Sequence, residues 1–179
     1  MFVKKELAEL NRLTVEEFKT TQKMPLTVVL DNIRSQHNVG AVFRTCDAFL
    51  VEKIYLCGIT ATPPNREIHK AALGATESVD WKYFEKTADA IGDLKRRGFS
   101  IVALEQTRNS ISLPALPNLP TPIALILGNE VEGISDEVMR LVDGALEIPQ
   151  GGTKHSLNVS VGAGIAIWEW FKMLNRLTV

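Results

Sequence analysis

Glu147-Ile-Pro-Gln-Gly-Gly-Thr-Lys-His-Ser-Leu-Asn-Val-Ser-Val161 is the most informative segment of the chain. It runs from a short apolar strand end into a Gly-Gly loop. A polar Ser156/Asn158 pair then opens a long apolar helical segment. Such a loop exposes backbone N–H and C=O groups beside a helix N-terminus, which suits a polar small molecule. Two other polar clusters occupy the same kind of turn upstream: Ser35-Gln-His-Asn-Val-Gly-Ala-Val-Phe-Arg44 and Gly128-Asn-Glu-Val-Glu-Gly133. In an open α/β sheet, ligands bind outside the carboxyl ends of the strands, so the three turns are candidates for a single site.

The segments around these turns alternate in character. Leu26-Thr-Val-Val-Leu30 is a compact β-branched run, and Lys53-Ile-Tyr-Leu-Cys57, Phe99-Ser-Ile-Val-Ala-Leu104 and Ala145-Leu-Glu-Ile148 read as further strands. Ile123-Ala-Leu-Ile-Leu127 is almost wholly apolar, as expected of a strand covered on both faces. Trp81 to Phe84 is a short strand or turn. Between them, Val39, Val42, Phe43, Cys46 and Phe49 recur at helical spacing, with Asn38 placed to cap that helix. Glu67 to Leu73 predicts a short helix, Thr87 caps one reaching Arg97, and Ser135 caps one reaching Val142. Residues 111–122 carry Leu-Pro every third position, the period of polyproline II, with Leu113, Leu116 and Leu119 on one face. Strands alternating with helices predict an α/β fold with a mainly parallel sheet flanked by helices.

Composition narrows the function classes. The chain has 179 residues, 45% of them hydrophobic, enough for one domain with a proper core. Net charge is −1, from 20 basic and 21 acidic side chains, so no global field announces nucleic acid. A local cluster can still bind phosphates. Cys46 and Cys57 lie in apolar surroundings and read as buried free thiols of a reducing compartment. No apolar run approaches the length of a membrane span and no signal peptide is recognisable, so a cytoplasmic protein is expected. Residues 1–23 alternate charges around Leu7, Leu10, Leu13 and Phe18, an amphipathic extension packed on a domain of residues 24–179. In the last helix, Val161, Ile165, Trp168 and Phe171 form a stripe beside Gly162, Ala163, Gly164 and Ala166, which suggests a subunit interface.

The common nucleotide and metal motifs are missing. There is no P-loop, no dinucleotide fingerprint after the first strand and no nucleophile elbow. His37, His69 and His155 are isolated from other ligand types, so no metal is expected.

The three clusters resemble those of the SpoU (TrmH-type) family of RNA ribose 2′-O-methyltransferases, part of the knotted SPOUT superfamily. The likeness rests on Asn38-Val-Gly-Ala-Val-Phe-Arg44-Thr-Cys-Asp-Ala48, Ile126-Leu-Gly-Asn-Glu-Val-Glu-Gly-Ile-Ser135 and Ile148-Pro-Gln-Gly-Gly-Thr-Lys-His-Ser-Leu-Asn-Val-Ser-Val161, in the family's order and over roughly residues 25–175. The resemblance implies S-adenosylmethionine as methyl donor, tRNA or rRNA as acceptor, a homodimer, and an α/β-knot whose C-terminal segment threads a deep trefoil. It leans toward tRNA, where the compact stand-alone form is common. It places Asn38, Arg44, Glu130, Ser156 and Asn158 in the catalytic cluster. Leu127, Gly128, Asn129, Glu130, Gly133, Ile148, Pro149, Ser156 and Leu157 would hold the cofactor. Arg44 would grip RNA phosphate; the family also casts its equivalent as the base that deprotonates the hydroxyl. Its alternative is a solvated pair with Asp31 or Asp47. Arg34, Arg66, Lys70, Arg108 and Lys154 are further RNA-binding candidates, in or near loops. Two readings from other classes are a non-catalytic RNA-binding or assembly protein on this fold and a base-directed methyltransferase.

Overall fold

A computed structural model of the chain describes residues 2–115 and 121–174. Among the described residues there are seven strands: β1 (Met24–Asp31), β2 (Val51–Cys57), β3 (Trp81–Phe84), β4 (Ser100–Leu104), β5 (Ile111–Ser112), β6 (Ile123–Leu127) and β7 (Gly144–Glu147). They form one sheet in the order β3-β2-β1-β6-β4-β7-β5, and every neighbouring pair is parallel. The helices are α1 (Val15–Thr20), α2 (Gln36–Ala48), α3 (Arg66–Ala72), α4 (Ala75–Ser78), α5 (Thr87–Arg96), α6 (Asp136–Met139) and α7 (Val159–Leu174).

The period-2 pleat sorts the strand residues into two cores. Leu26, Val28 and Leu30 of β1, Leu125 and Leu127 of β6, and Val102 of β4 pack under Val39 and Phe43 of α2 and Ile167 and Trp170 of α7. On the other face, Val29, Ala124, Ile126, Ile101 and Ala103 meet Ile91 and Leu94 of α5 and Val138 of α6. β1 and β6 are therefore apolar on both faces, as central strands of a doubly covered parallel sheet must be. Phe18 of α1 is buried against the first of these cores, which anchors the N-terminal extension. No described helix is long and apolar enough to cross a membrane. Cys46 and Cys57 are free and buried; burial raises both thiols, Cys57 to about 12.

Several local expectations change. Ser35, not Asn38, caps α2, its hydroxyl accepting the Asn38 N–H. Thr87 lies inside α5, behind Lys86 at the cap, and its hydroxyl donates to the buried Asp31 carboxylate. The helix after Ser135 stops at Met139. Instead of a continuous polyproline segment, residues 111–115 contribute β5 and a 3-10 turn with Leu113 buried. Leu116 and Leu119 lie outside the described residues. Lys95 pairs with Asp143 at 3.4 Å and Arg97 with Glu52 at 3.0 Å, so the basic end of α5 is structural.

One contact gives a test with a definite sign. Gly40 of α2 faces α3, and a Cβ there would sit 2.4 Å from the Ile68 carbonyl oxygen and 2.7 Å from the Ala71 Cβ. In an open helix Gly→Ala stabilises by about 1 kcal/mol. Here Gly40→Ala should instead destabilise by about 1–3 kcal/mol through overpacking against backbone. A urea midpoint that rises would contradict this packing.

Candidate active site

The chain leaves β1 toward β2 and β3, then crosses back to build the sheet on β1's other side. The boundary between β1 and β6 is thus a topological switch point, where the carboxyl ends of parallel strands open a crevice. Three loops meet there: the one after β1 that enters α2, the tight turn after β6, and the long connection from β7 to α7.

The turn after β6 is built by Asn129. Its backbone pairs both ways with Gly133, at 3.1 and 2.9 Å. Its side-chain oxygen accepts from the N–H groups of Val131 and Glu132, at 2.9 and 3.1 Å. Its amide donates at 2.7 Å to the carbonyl of Asn32, at the end of β1. Asn32 is in turn held by its own amide donating to Asp31 and its oxygen accepting the Ile59 N–H. Gly133 closes the turn at φ +68°, a region that suits glycine.

The turn presents Glu130 to the start of α2. The carboxylate accepts from the backbone N–H of Arg34 at 2.9 Å, that of Ser35 at 3.0 Å, and the Asn38 amide at 2.9 Å. Asn38 also accepts, at 3.1 Å, from the amide of Asn158. Asn158's own oxygen takes the Ser160 N–H at 2.9 Å and the Ser160 hydroxyl at 2.7 Å, capping α7. Glu130, Asn38 and Asn158 therefore form one continuous chain across all three loops. Burial works against Glu130's charge, but the donors from Arg34, Asn38 and Ser35 outweigh it and hold the carboxyl below its ordinary value.

Beside this chain lies a cavity of about 550 Å³, a size common for small-molecule sites. Leu127, Ile148 and Leu157 give it apolar walls, and Gly128, Asn129, Glu130, Gly133, Ser156 and Asn158 also line it. Pro149 does not line it; its neighbours Ile148 and Gln150 do, and Pro149 is exposed. Asn38 reaches the site through its two hydrogen bonds. Ser156 is an exposed lining residue, and the cap of α7 falls to Asn158 instead.

Arg44 is not drawn into the chain. It is exposed on α2 and makes no ion pair among the described residues. Asp47 is occupied by Ser78, and Asp31 by Thr87 and Asn32, so the pairing alternative for Arg44 fails. Arg34, Arg108 and Lys154 are exposed on the loops after β1, β4 and β7. Arg66 and Lys70 lie on α3, where Arg66 borders a second groove with His69 and Trp81. The sequence reading missed Glu105, Gln106, Glu147 and His155, which line the main cavity. Their signal was positional: Glu105 follows β4 and Glu147 ends β7, at the edge where such sheets bind ligands.

The lowered Glu130 carboxyl links stability to pH. Its contribution is complete above the ordinary value of 4.5 and is lost as pH falls through the lower folded value. Wild-type stability, read as a denaturant midpoint, should therefore drop by more than that of Glu130→Gln on acidification from 4.5 through the lower folded value. Equal acid sensitivity in the two proteins would remove Glu130 from this role.

The comparisons with known proteins agree with this geometry. Residues 25–168 match the model of the SpoU rRNA Methylase family. The tRNA (guanosine(18)-2′-O)-methyltransferase of Aquifex aeolicus is 34% identical over 87% of this chain and 72% of its own length. The crystal structure of the A. aeolicus TrmH/SpoU tRNA modifying enzyme superposes with a TM-score of 0.79 at 30% identity, covering 90% of this chain and 81% of that one. The AdoMet-bound rRNA methyltransferase of Sinorhizobium meliloti gives 0.79 at 28% identity, covering 88% of this chain but 59% of that one. A seven-stranded parallel sheet, three loops joined through Asn38, Glu130 and Asn158, and a family match across most of the sequence lead to one assignment: the chain belongs to the SpoU methylase family.

Proposed function

We propose that this protein transfers a methyl group from S-adenosylmethionine to a ribose 2′-hydroxyl of tRNA or rRNA. The observation that carries the reading is the Glu130–Asn38–Asn158 hydrogen-bond chain at the edge of a cavity of about 550 Å³. The cavity's residues suit an adenosyl cofactor: Leu127, Ile148 and Leu157 give apolar walls for a flat base, and Ser156, Asn158 and Gln150 add polar groups around it. When bound, that cofactor supplies an electrophilic methyl group on a sulfonium.

The protein's part is placement. Glu130, Asn38 and Asn158 hold the three loops in register, and Ser156 adds a hydroxyl at the cavity wall. Arg44 serves as the phosphate clamp beside the target ribose, where its planar fork suits a phosphate. A guanidinium does not give up its proton unaided, so the rate comes mainly from holding the hydroxyl in line with the methyl group. Arg34, Arg108 and Lys154 extend the cationic surface around the loops, and Arg66 and Lys70 add a patch on α3.

Two further parts of the reading concern assembly. The protein works as a homodimer joined through α7, where Val161, Ile165 and Trp168 are exposed at one-turn and two-turn spacing. The C-terminal segment threads a trefoil knot, a reading that rests on the family likeness. The methyltransferase domain spans residues 24–179, with 1–23 appended to it.

Arg44→Lys should lower methyl transfer at least about a hundredfold while cofactor affinity, by calorimetry, stays within about twofold. Nuclease digestion and mass spectrometry of the product RNA reads the ribose methyl directly. Near-normal turnover would remove Arg44 from its role, and a methyl found on a base would overturn the ribose assignment. Ile165→Glu, at the centre of the exposed stripe, should convert the dimer to a monomer in analytical ultracentrifugation. An unchanged mass would exclude α7 as the interface.

A further inference from the structure

Glu105 is a carboxylate of the cavity held by two backbone donors and with no assigned task. It follows β4 and is half-buried. One of its oxygens accepts the Ile134 N–H at 3.1 Å, and the other accepts the Gln106 N–H at 3.0 Å. Its carboxylate also lies against Gly133, where a Cβ would come within 2.6 Å of it. The group is therefore oriented by two backbone donors and by the turn after β6. A carboxylate offers about four acceptor positions, two on each oxygen. Two are used here, one on each oxygen, which leaves a matching pair of acceptors at the cavity wall.

That pair has a specific complement. On an adenosyl ligand, the amino group of the base and the ammonium of the amino acid each carry their donors on one atom. The ribose 2′- and 3′-hydroxyls carry two donors on adjacent atoms, the arrangement a carboxylate fork accepts. Position agrees with this. Glu105 belongs to the β4 side of the β6 turn, whereas Asn38 and the donors of Arg34 and Ser35 lie on its β1 side. A cofactor whose reactive end faces Asn38 and Glu130 directs its nucleoside toward β4.

We infer that Glu105 reads the ribose hydroxyls of the cofactor and so selects a ribonucleoside ligand. The inference rests on the adenosyl-cofactor reading above. The experiment is calorimetric binding of S-adenosylhomocysteine and of its analogue lacking both ribose hydroxyls, to wild type and to Glu105→Gln. Wild type should bind the analogue about tenfold weaker or worse for each hydroxyl lost. In Glu105→Gln, one of the two acceptors is replaced by an NH2 group and the remaining oxygen, bonded to the Ile134 N–H, keeps a single uncharged acceptor, so the penalty should shrink to about tenfold or less. If wild type binds both compounds equally, the inference fails whatever the variant does. A penalty retained in full by Glu105→Gln also overturns it, because a purely structural glutamate would weaken both ligands alike. If wild type binds neither compound, the cofactor reading itself falls, and the inference with it.

Discussion

A carboxylate at the entrance of a helix organises this protein. Glu130 takes the two backbone N–H groups that precede α2 and the amide of Asn38. The Ser35 N–H is one of the donors that a helix N-terminus leaves without an intrahelical partner, and the helix dipole favours an anion there. What is unusual is the distance in sequence: Glu130 arrives from a turn more than ninety residues downstream. A capping interaction that is normally local here fastens the two halves of the sheet. Asn158 then adds the third loop through the oxygen that Asn38 leaves free.

Much of the scaffold was legible from sequence because burial on both faces leaves a strong mark. β6 is an unbroken apolar run, β1 is broken between Leu26 and Leu30 only by Thr27, and their flanking helices repeat at the helical period. Short elements were not legible. β5 has two residues and acquires strand geometry only from β7 beside it. Asn38 illustrates the limit for side chains. Its residue type at a helix start points to a cap, yet Ser35 takes that task, and Asn38 is drawn away by partners 92 and 120 residues distant. No local rule contains those partners. Glu105 escaped notice for a related reason: its place after a strand marks only the ligand-binding edge, and its orientation comes from the Ile134 N–H of a turn 29 residues distant. Arg44 was singled out by motif, but its surroundings within one chain show only an exposed cation.

Charge is partitioned in a way the near-zero total conceals. Glu105, Glu130, Glu132 and Glu147 all line the cavity. Three of them are tied down: Glu105 by Ile134 and Gln106, Glu130 by the start of α2, and Glu147 by the Ser110 hydroxyl at 2.8 Å. The cations Arg34, Arg108 and Lys154 stand exposed on the surrounding loops. An acidic interior beneath a basic rim fits a cationic sulfonium inside and a polyanion outside, with neither ligand drawn to the other's place.

The side chain of Asn158 has a consequence for which residues can stand at that position. Its nitrogen must donate to Asn38 while its oxygen receives the first amides of α7, so the planar group works in one orientation only. Aspartate would keep the oxygen's work but leave Asn38 facing a second acceptor, with a new negative charge near Glu130. Serine could cap the helix yet would fall short of Asn38. Glutamine could offer both atoms but on a stem too long for the cap. A pocket assembled from distant loops thus reduces twenty possibilities at one site to a single amide of a single length.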